Sequence, residues 1–134
     1  MALVQWSQQY RTGNDGVDEQ HQELFRLMNE LYDAMKLGKG KDRVTSTLAS
    51  LMEYTIHHFK SEERLMQDHS YPRFAAHKKI HDELTRRVQQ LASDDRAGKV
   101  LSVDISEFLS SWLSHHIDST DKDMIRFVTT RPRG

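Results

Sequence analysis

Residues 74–91 read Phe74-Ala75-Ala76-His77-Lys78-Lys79-Ile80-His81-Asp82-Glu83-Leu84-Thr85-Arg86-Arg87-Val88-Gln89-Gln90-Leu91. Phe74, His77, His81, Leu84, Val88 and Leu91 recur at spacings of three and four, the period of one helical face. Two of these six are histidines, one turn apart in a stripe that a core would want apolar. Adjacent buried imidazoles without a ligand would leave polar atoms unpaired. The stretch thus predicts a helix whose buried side is also a chelate.

The flanking sequence repeats the pattern. An irregular arm runs to about Val17, with Gly13 and Gly16 as turn signals. A first helix starts near Asp18, an N-cap candidate, and runs to the Gly38-Lys39-Gly40 break. Its stripe is Leu24, Phe25, Met28, Leu31, Tyr32 and Met35, and His21 continues it toward the N-terminus. A second helix runs from about Asp42 to about His69 and stops before Tyr71-Pro72, because a residue preceding proline avoids the α region. His58 and Glu62 lie one turn apart on its apolar side. The third helix opens near Arg73. The fourth opens near Ser102 and carries Ile105, Phe108, Leu109, Trp112, Leu113, His116, Ile117, Asp121, Met124 and Val128 inward. No alternating strand pattern persists. The expected fold is all-α, an antiparallel up-down-up-down four-helix bundle with an irregular N-terminal arm. It forms one domain over residues 1–134, the arm about 1–17 and the bundle about 18–129.

Composition narrows the function. Charged residues are 29%, hydrophobic ones 37%, and the formal net charge is -1, so no basic face stands out to hold nucleic acid. With no cysteine, disulfides, iron–sulfur clusters and thiol catalysis are excluded. No apolar run reaches the length of a membrane span, and the opening Met1-Ala2-Leu3-Val4-Gln5-Trp6 lacks a basic, signal-like start, so the expected location is cytoplasmic. There are six methionines, and those at helical spacing read as core filler.

Seven inward groups remain: His21, His58, Glu62, His77, His81, His116 and Asp121. Burying charge without a partner is costly, so a core containing these residues points to metal. Imidazole and carboxylate without sulfur suit iron or manganese, with zinc or copper possible. Seven side chains are too many for one ion and suit two. If Glu62 and Asp121 both bridge, five terminal imidazoles and one solvent-derived bridge leave a single position open, room for a small diatomic. Five imidazoles against two carboxylates reverse the carboxylate-rich balance of enzymatic di-iron bundles, which tilts the reading toward reversible binding. His57 and His115, each next to an inward histidine, read as surface residues. Glu63, about 100° from Glu62, reads as solvated, and Asp118 and Asp123 yield to Asp121 as the bridging carboxylate. His116 and Asp121 are about 140° apart on an ideal helix, so either the helix widens there or the side chains reach.

Four runs together resemble the hemerythrins, and in length and opening segment the single-domain bacteriohemerythrins. They are Val17-Asp18-Glu19-Gln20-His21, His58-Phe59-Lys60-Ser61-Glu62-Glu63, His77-Lys78-Lys79-Ile80-His81, and Trp112-Leu113-Ser114-His115-His116-Ile117 followed by Asp121. The resemblance implies a non-haem di-iron centre with a bridging oxo or hydroxo group that binds O2 reversibly, for storage, transport or delivery. It implies that His77, His81 and His116 ligate the saturated iron and that His21 and His58 ligate the five-coordinate one. Glu62 and Asp121 would bridge, and Phe59, Trp112 and Leu113 would line an apolar O2 pocket. The reading is a binding protein and not an enzyme. The alternatives are a di-iron enzyme acting on peroxide or nitric oxide, and a sensor of oxygen or iron.

Overall fold

The computed structural model describes residues 5–38, 40–98 and 103–130. The helices are α1 (Asp15–Lys36), α2 (Lys41–Asp68), α3 (Phe74–Arg96), α4 (Val103–His115) and α5 (Lys122–Thr130). Between α4 and α5, His116–Asp121 forms a π-helical turn, so the three segments make one continuous fourth helix. Among the described residues there is no strand. Four residues join α1 to α2 and five join α2 to α3, connections that return each helix antiparallel to the last. α1 packs on α2 and α4, and α2 packs on α3. The result is the expected four-helix bundle. The expected start at Ser102 and the side chain of Ile105 lie outside the described residues.

The helix boundaries follow from local chemistry, with one correction. Asp18 is not the first cap: α1 starts at Asp15, and the Asn14 side chain caps it by accepting from the Val17 backbone N–H at 3.0 Å. Gly16 is therefore helical. Gly13 makes the turn, at φ +95°, a value that favours glycine. Asp18 is buried and accepts from the Thr12 amide (2.9 Å), the Thr12 hydroxyl (2.7 Å) and the Gly13 amide (3.4 Å), tying the arm to α1. Farther out on the arm, Trp6 and Tyr10 set their rings edge-on to Phe25 at 5.5 and 5.1 Å.

At the opposite end of the bundle, Asp95 of α3 accepts from the Thr45 hydroxyl at 2.6 Å and pairs with Lys41 at 3.0 Å, fastening the start of α2. Phe108 departs from its expected core place: it is 46% exposed, with the Arg87 guanidinium 4.7 Å over its ring. The bundle buries the line Leu109, Leu113, Ile117, and Phe108 stands about 100° round the helix from it.

The apolar core is two clusters. The larger includes Leu24, Met28, Leu31, Leu48, Leu51, Leu84, Val88, Leu109 and Ile117. The smaller is Val17, Met66, Tyr71, Met124, Ile125 and Val128. His21, His58, Glu62, His77, His81, His116 and Asp121 fall in sequence near the junction of the two. A polar layer therefore crosses the bundle where hydrophobic side chains would otherwise meet.

Candidate metal centre

That layer is assembled from four directions. α1 supplies His21, α2 supplies His58 and Glu62, and α3 supplies His77 and His81. His116 and Asp121 stand at the two ends of the π-helical turn. A π turn holds an extra residue, which brings positions five apart onto one face and resolves their angular mismatch on an α-helix. All seven side chains are buried, the most accessible being His116 at 3%.

Donor atoms of Glu62, His77, His81, His116 and Asp121 lie within 4.8 Å of one another, and so do those of His21, His58, Glu62 and Asp121. The two carboxylates belong to both groups, and each divides its oxygens between them. Glu62 Oε2 faces His21 Nε2 (3.3 Å) and His58 Nε2 (3.0 Å), while Oε1 faces His77 Nε2 (3.6 Å) and His81 Nε2 (3.0 Å). Asp121 Oδ2 faces His21 Nε2 (3.0 Å), while Oδ1 faces His77 Nε2 and His116 Nε2 (both 3.0 Å). The layer thus contains a two-histidine side and a three-histidine side, spanned twice by carboxylate.

Many of these atoms are near one another without being hydrogen-bonded. His58 Nε2, His77 Nε2, Glu62 Oε1 and both Asp121 oxygens make no aligned hydrogen bond, despite neighbours at about 3 Å. Buried polar atoms are seldom left so. The spacing has a simple reading, since two cis ligands of an octahedral ion with bonds of about 2.1 Å stand about 3.0 Å apart. Donors aimed at a shared third point approach each other at that distance without pointing at each other. The donor set, nitrogen and oxygen with no sulfur, fits two first-row metal ions.

The electrostatics agree. Burial disfavours a charged imidazole, but the carboxylates of Asp121 and Glu62 close by overcome it and raise His21 and His77 from 6.5 to about 9. Burial opposes ionisation of the two carboxylates, and Glu62 adds repulsion at Asp121. The surrounding histidines prevail and hold both carboxyls well below the usual range. The layer therefore gathers positive charge, and protons are one form in which it can be held.

Neighbouring residues hold the histidines of the layer in place. Gln20 Oε1 accepts from His58 Nδ1 at 2.7 Å, and its amide nitrogen faces the Ser61 hydroxyl at 3.5 Å. Glu63 accepts from His81 Nδ1 at 3.1 Å, so it is not merely solvated. Glu63 sits beside Glu62 and Gln20 beside His21, but their targets lie on neighbouring helices, so one-helix periodicity could not find them. Phe59 lies flat on His81, with centroids 3.8 Å apart and planes at 3°. Trp112 stacks on His116 at 4.8 Å and 15°. Leu113 is buried in the larger apolar cluster. Tyr71, which sequence reading passed over, sets its ring 6.5 Å from that of His77.

The rejected neighbours lie elsewhere: His57 and His115 are exposed, Asp118 pairs with Lys122 at 2.9 Å, and Asp123 pairs with Arg126 at 3.3 Å. Among the described residues, no helix is long and apolar enough to cross a membrane.

Comparison with known proteins converges on one group. Residues 12–128 match the family profile of the hemerythrin HHE cation binding domain. The chain is 36% identical over 128 residues to a bacteriohemerythrin of Pseudomonas aeruginosa, covering 96% of this chain and 83% of that protein. It is 36% identical over 124 residues to a bacteriohemerythrin of Methylococcus capsulatus (strain Bath), covering 91% and 94%. A crystal structure of wild-type hemerythrin superposes with a TM-score of 0.90 at 33% identity, covering 96% of this chain and 99% of that one. With the buried histidine–carboxylate layer in the same four-helix frame, the chain belongs to the hemerythrin family.

Proposed function

We propose that this protein is a reversible O2 carrier, storing or delivering oxygen from a non-haem di-iron centre. The observation that supports this most directly is the division of each carboxylate, one oxygen toward the two-histidine side and one toward the three-histidine side. Glu62 and Asp121 would each offer one oxygen to either of two irons, and an oxo or hydroxo group would complete the pair. His77, His81 and His116 would hold one iron, and His21 and His58 would hold the other, the one expected to take O2. When bound, such a pair supplies the electrons and the open coordination site that reversible O2 binding needs.

The chain's own residues do the rest. Phe59 and Leu113, 3% and 2% exposed, and the half-buried Trp112 restrict water around the ligands and so slow irreversible oxidation. Gln20 and Glu63 accept the Nδ1 protons of His58 and His81, which leaves each Nε2 lone pair facing the centre.

Carriage is favoured over turnover by the surroundings. Apart from the seven residues, the described buried carboxylates are Asp18 and Asp95, and both are engaged at helix ends by Thr12, Gly13, Thr45 and Lys41. Among the described residues, the layer therefore has no further fully buried carboxyl to serve as a general acid.

The test is anaerobic loading with two equivalents of Fe(II), followed by cycles of O2 and argon under a visible spectrometer. Carriage gives a charge-transfer band that appears with O2 and leaves under argon. Irreversible oxidation on first exposure, or no band, refutes the proposal.

A further inference from the structure

The two histidines with side-chain acceptors on Nδ1 meet unlike partners. His58, on the two-histidine side, donates to the neutral carboxamide of Gln20 at 2.7 Å. His81, on the three-histidine side, donates to the carboxylate of Glu63 at 3.1 Å, and the Glu63 side chain is 18% exposed. Both assignments are constrained by chemistry. A carboxylate only accepts, so His81 Nδ1 carries the proton. The Gln20 amide nitrogen is turned toward the Ser61 hydroxyl, which leaves its oxygen for His58.

A charged acceptor polarises an imidazole N–H more than a neutral one and makes the opposite nitrogen a stronger donor to metal. We infer that Glu63 and Gln20 are positioning residues that make the two metal positions electronically unequal. Glu63 biases the three-histidine position toward the higher oxidation state, and Gln20 leaves the two-histidine position less electron-rich. The inference rests on the two-metal reading above and deepens it. One electron passes per metal, Fe(III) to Fe(II), so the bias is read as a midpoint.

A role limited to holding α2 against α3 would not survive as a redox signature. Glu63→Gln keeps an acceptor oxygen for His81 and removes the charge. Gln20→Glu adds a charge at His58 and keeps the acceptor. The measurement is a mediated redox titration of the Fe-loaded full chain, alongside iron content and Fe(II) affinity by chelator competition.

Glu63→Gln should raise the midpoint of one one-electron step, shifting its Fe(II)/Fe(III) ratio about tenfold, or 59 mV. It should also loosen Fe(II) at least several-fold. Gln20→Glu should move the other step the opposite way, and the double exchange should show both shifts. Gln20→Glu stands as an independent test if Glu63→Gln folds poorly. Wild-type protein that holds two irons per chain, with midpoints unmoved in both variants, overturns this inference alone. Wild-type protein that cannot hold two irons overturns it together with the proposed function.

Discussion

Without metal, this protein should lose stability as the solution becomes alkaline, and with metal it should not. His21 and His77 are raised from 6.5 to about 9 by the buried carboxylates of Asp121 and Glu62, against the opposing effect of burial. Two protonated imidazoles then balance two carboxylates inside the core. A base whose folded pKa is raised contributes stability that is complete below 6.5 and vanishes as pH climbs through about 9. The difference is worth about 3 kcal/mol for one histidine. The two share the same carboxylates, so their contributions are not simply additive. For a chain of this length, about 3 kcal/mol corresponds to a Tm lower by about 12 °C.

The assay is thermal unfolding of chelator-treated and Fe(II)-loaded protein, kept anaerobic, from pH 6 to 10.5. The metal-free Tm should be level to about pH 6.5 and then fall by that amount. The loaded Tm should stay nearly level, because metal occupies the lone pairs that protons otherwise hold. A metal-free Tm that does not change through pH 9 would refute the argument, because the folded state would then hold no more protons than the unfolded one.

Other consequences can be checked singly. Phe59→Ala removes a ring that is 3% exposed and stacked on His81, and should cost about 3–5 kcal/mol in chemical denaturation. Asp18→Ala leaves the Thr12 and Gly13 groups without their acceptor and should cost about 1–3 kcal/mol, measured the same way, with iron content unchanged. The burial-opposed but Thr45- and Lys41-stabilised Asp95 carboxyl lies below its ordinary range, so its contribution is present above about pH 4 and lost in stronger acid. Asp95→Ala should flatten that part of the acid unfolding curve. Deleting Ser119 would return the π turn to α geometry and swing Asp121 about 100° from its place, so metal analysis should find fewer than two ions per chain.

Much of this was legible along single helices. The three-and-four spacing of Phe74, His77, His81, Leu84, Val88 and Leu91 puts histidine on a buried face whatever the partner helix is. The same rule separates His58 from His57 and His116 from His115, because neighbours on a helix point about 100° apart. The five-residue gap from His116 to Asp121 marked the place where regular helix fails. The sequence could not show whether widening or reach would close that gap, since the π turn depends on what the fourth helix packs against.

Tertiary structure decided what depends on distance between helices. It shows Glu62 and Asp121 each dividing their oxygens between two histidine groups, an arrangement that needs four helices in one register. It turns Glu63 and Gln20 toward His81 and His58 on neighbouring helices, exposes Phe108 beneath Arg87, and moves the first cap to Asn14 with Asp18 holding the arm. Periodicity determines which way a side chain points from its own axis. Whether two such directions meet is set by the crossing and rotation of packed helices, which no single stretch of sequence encodes.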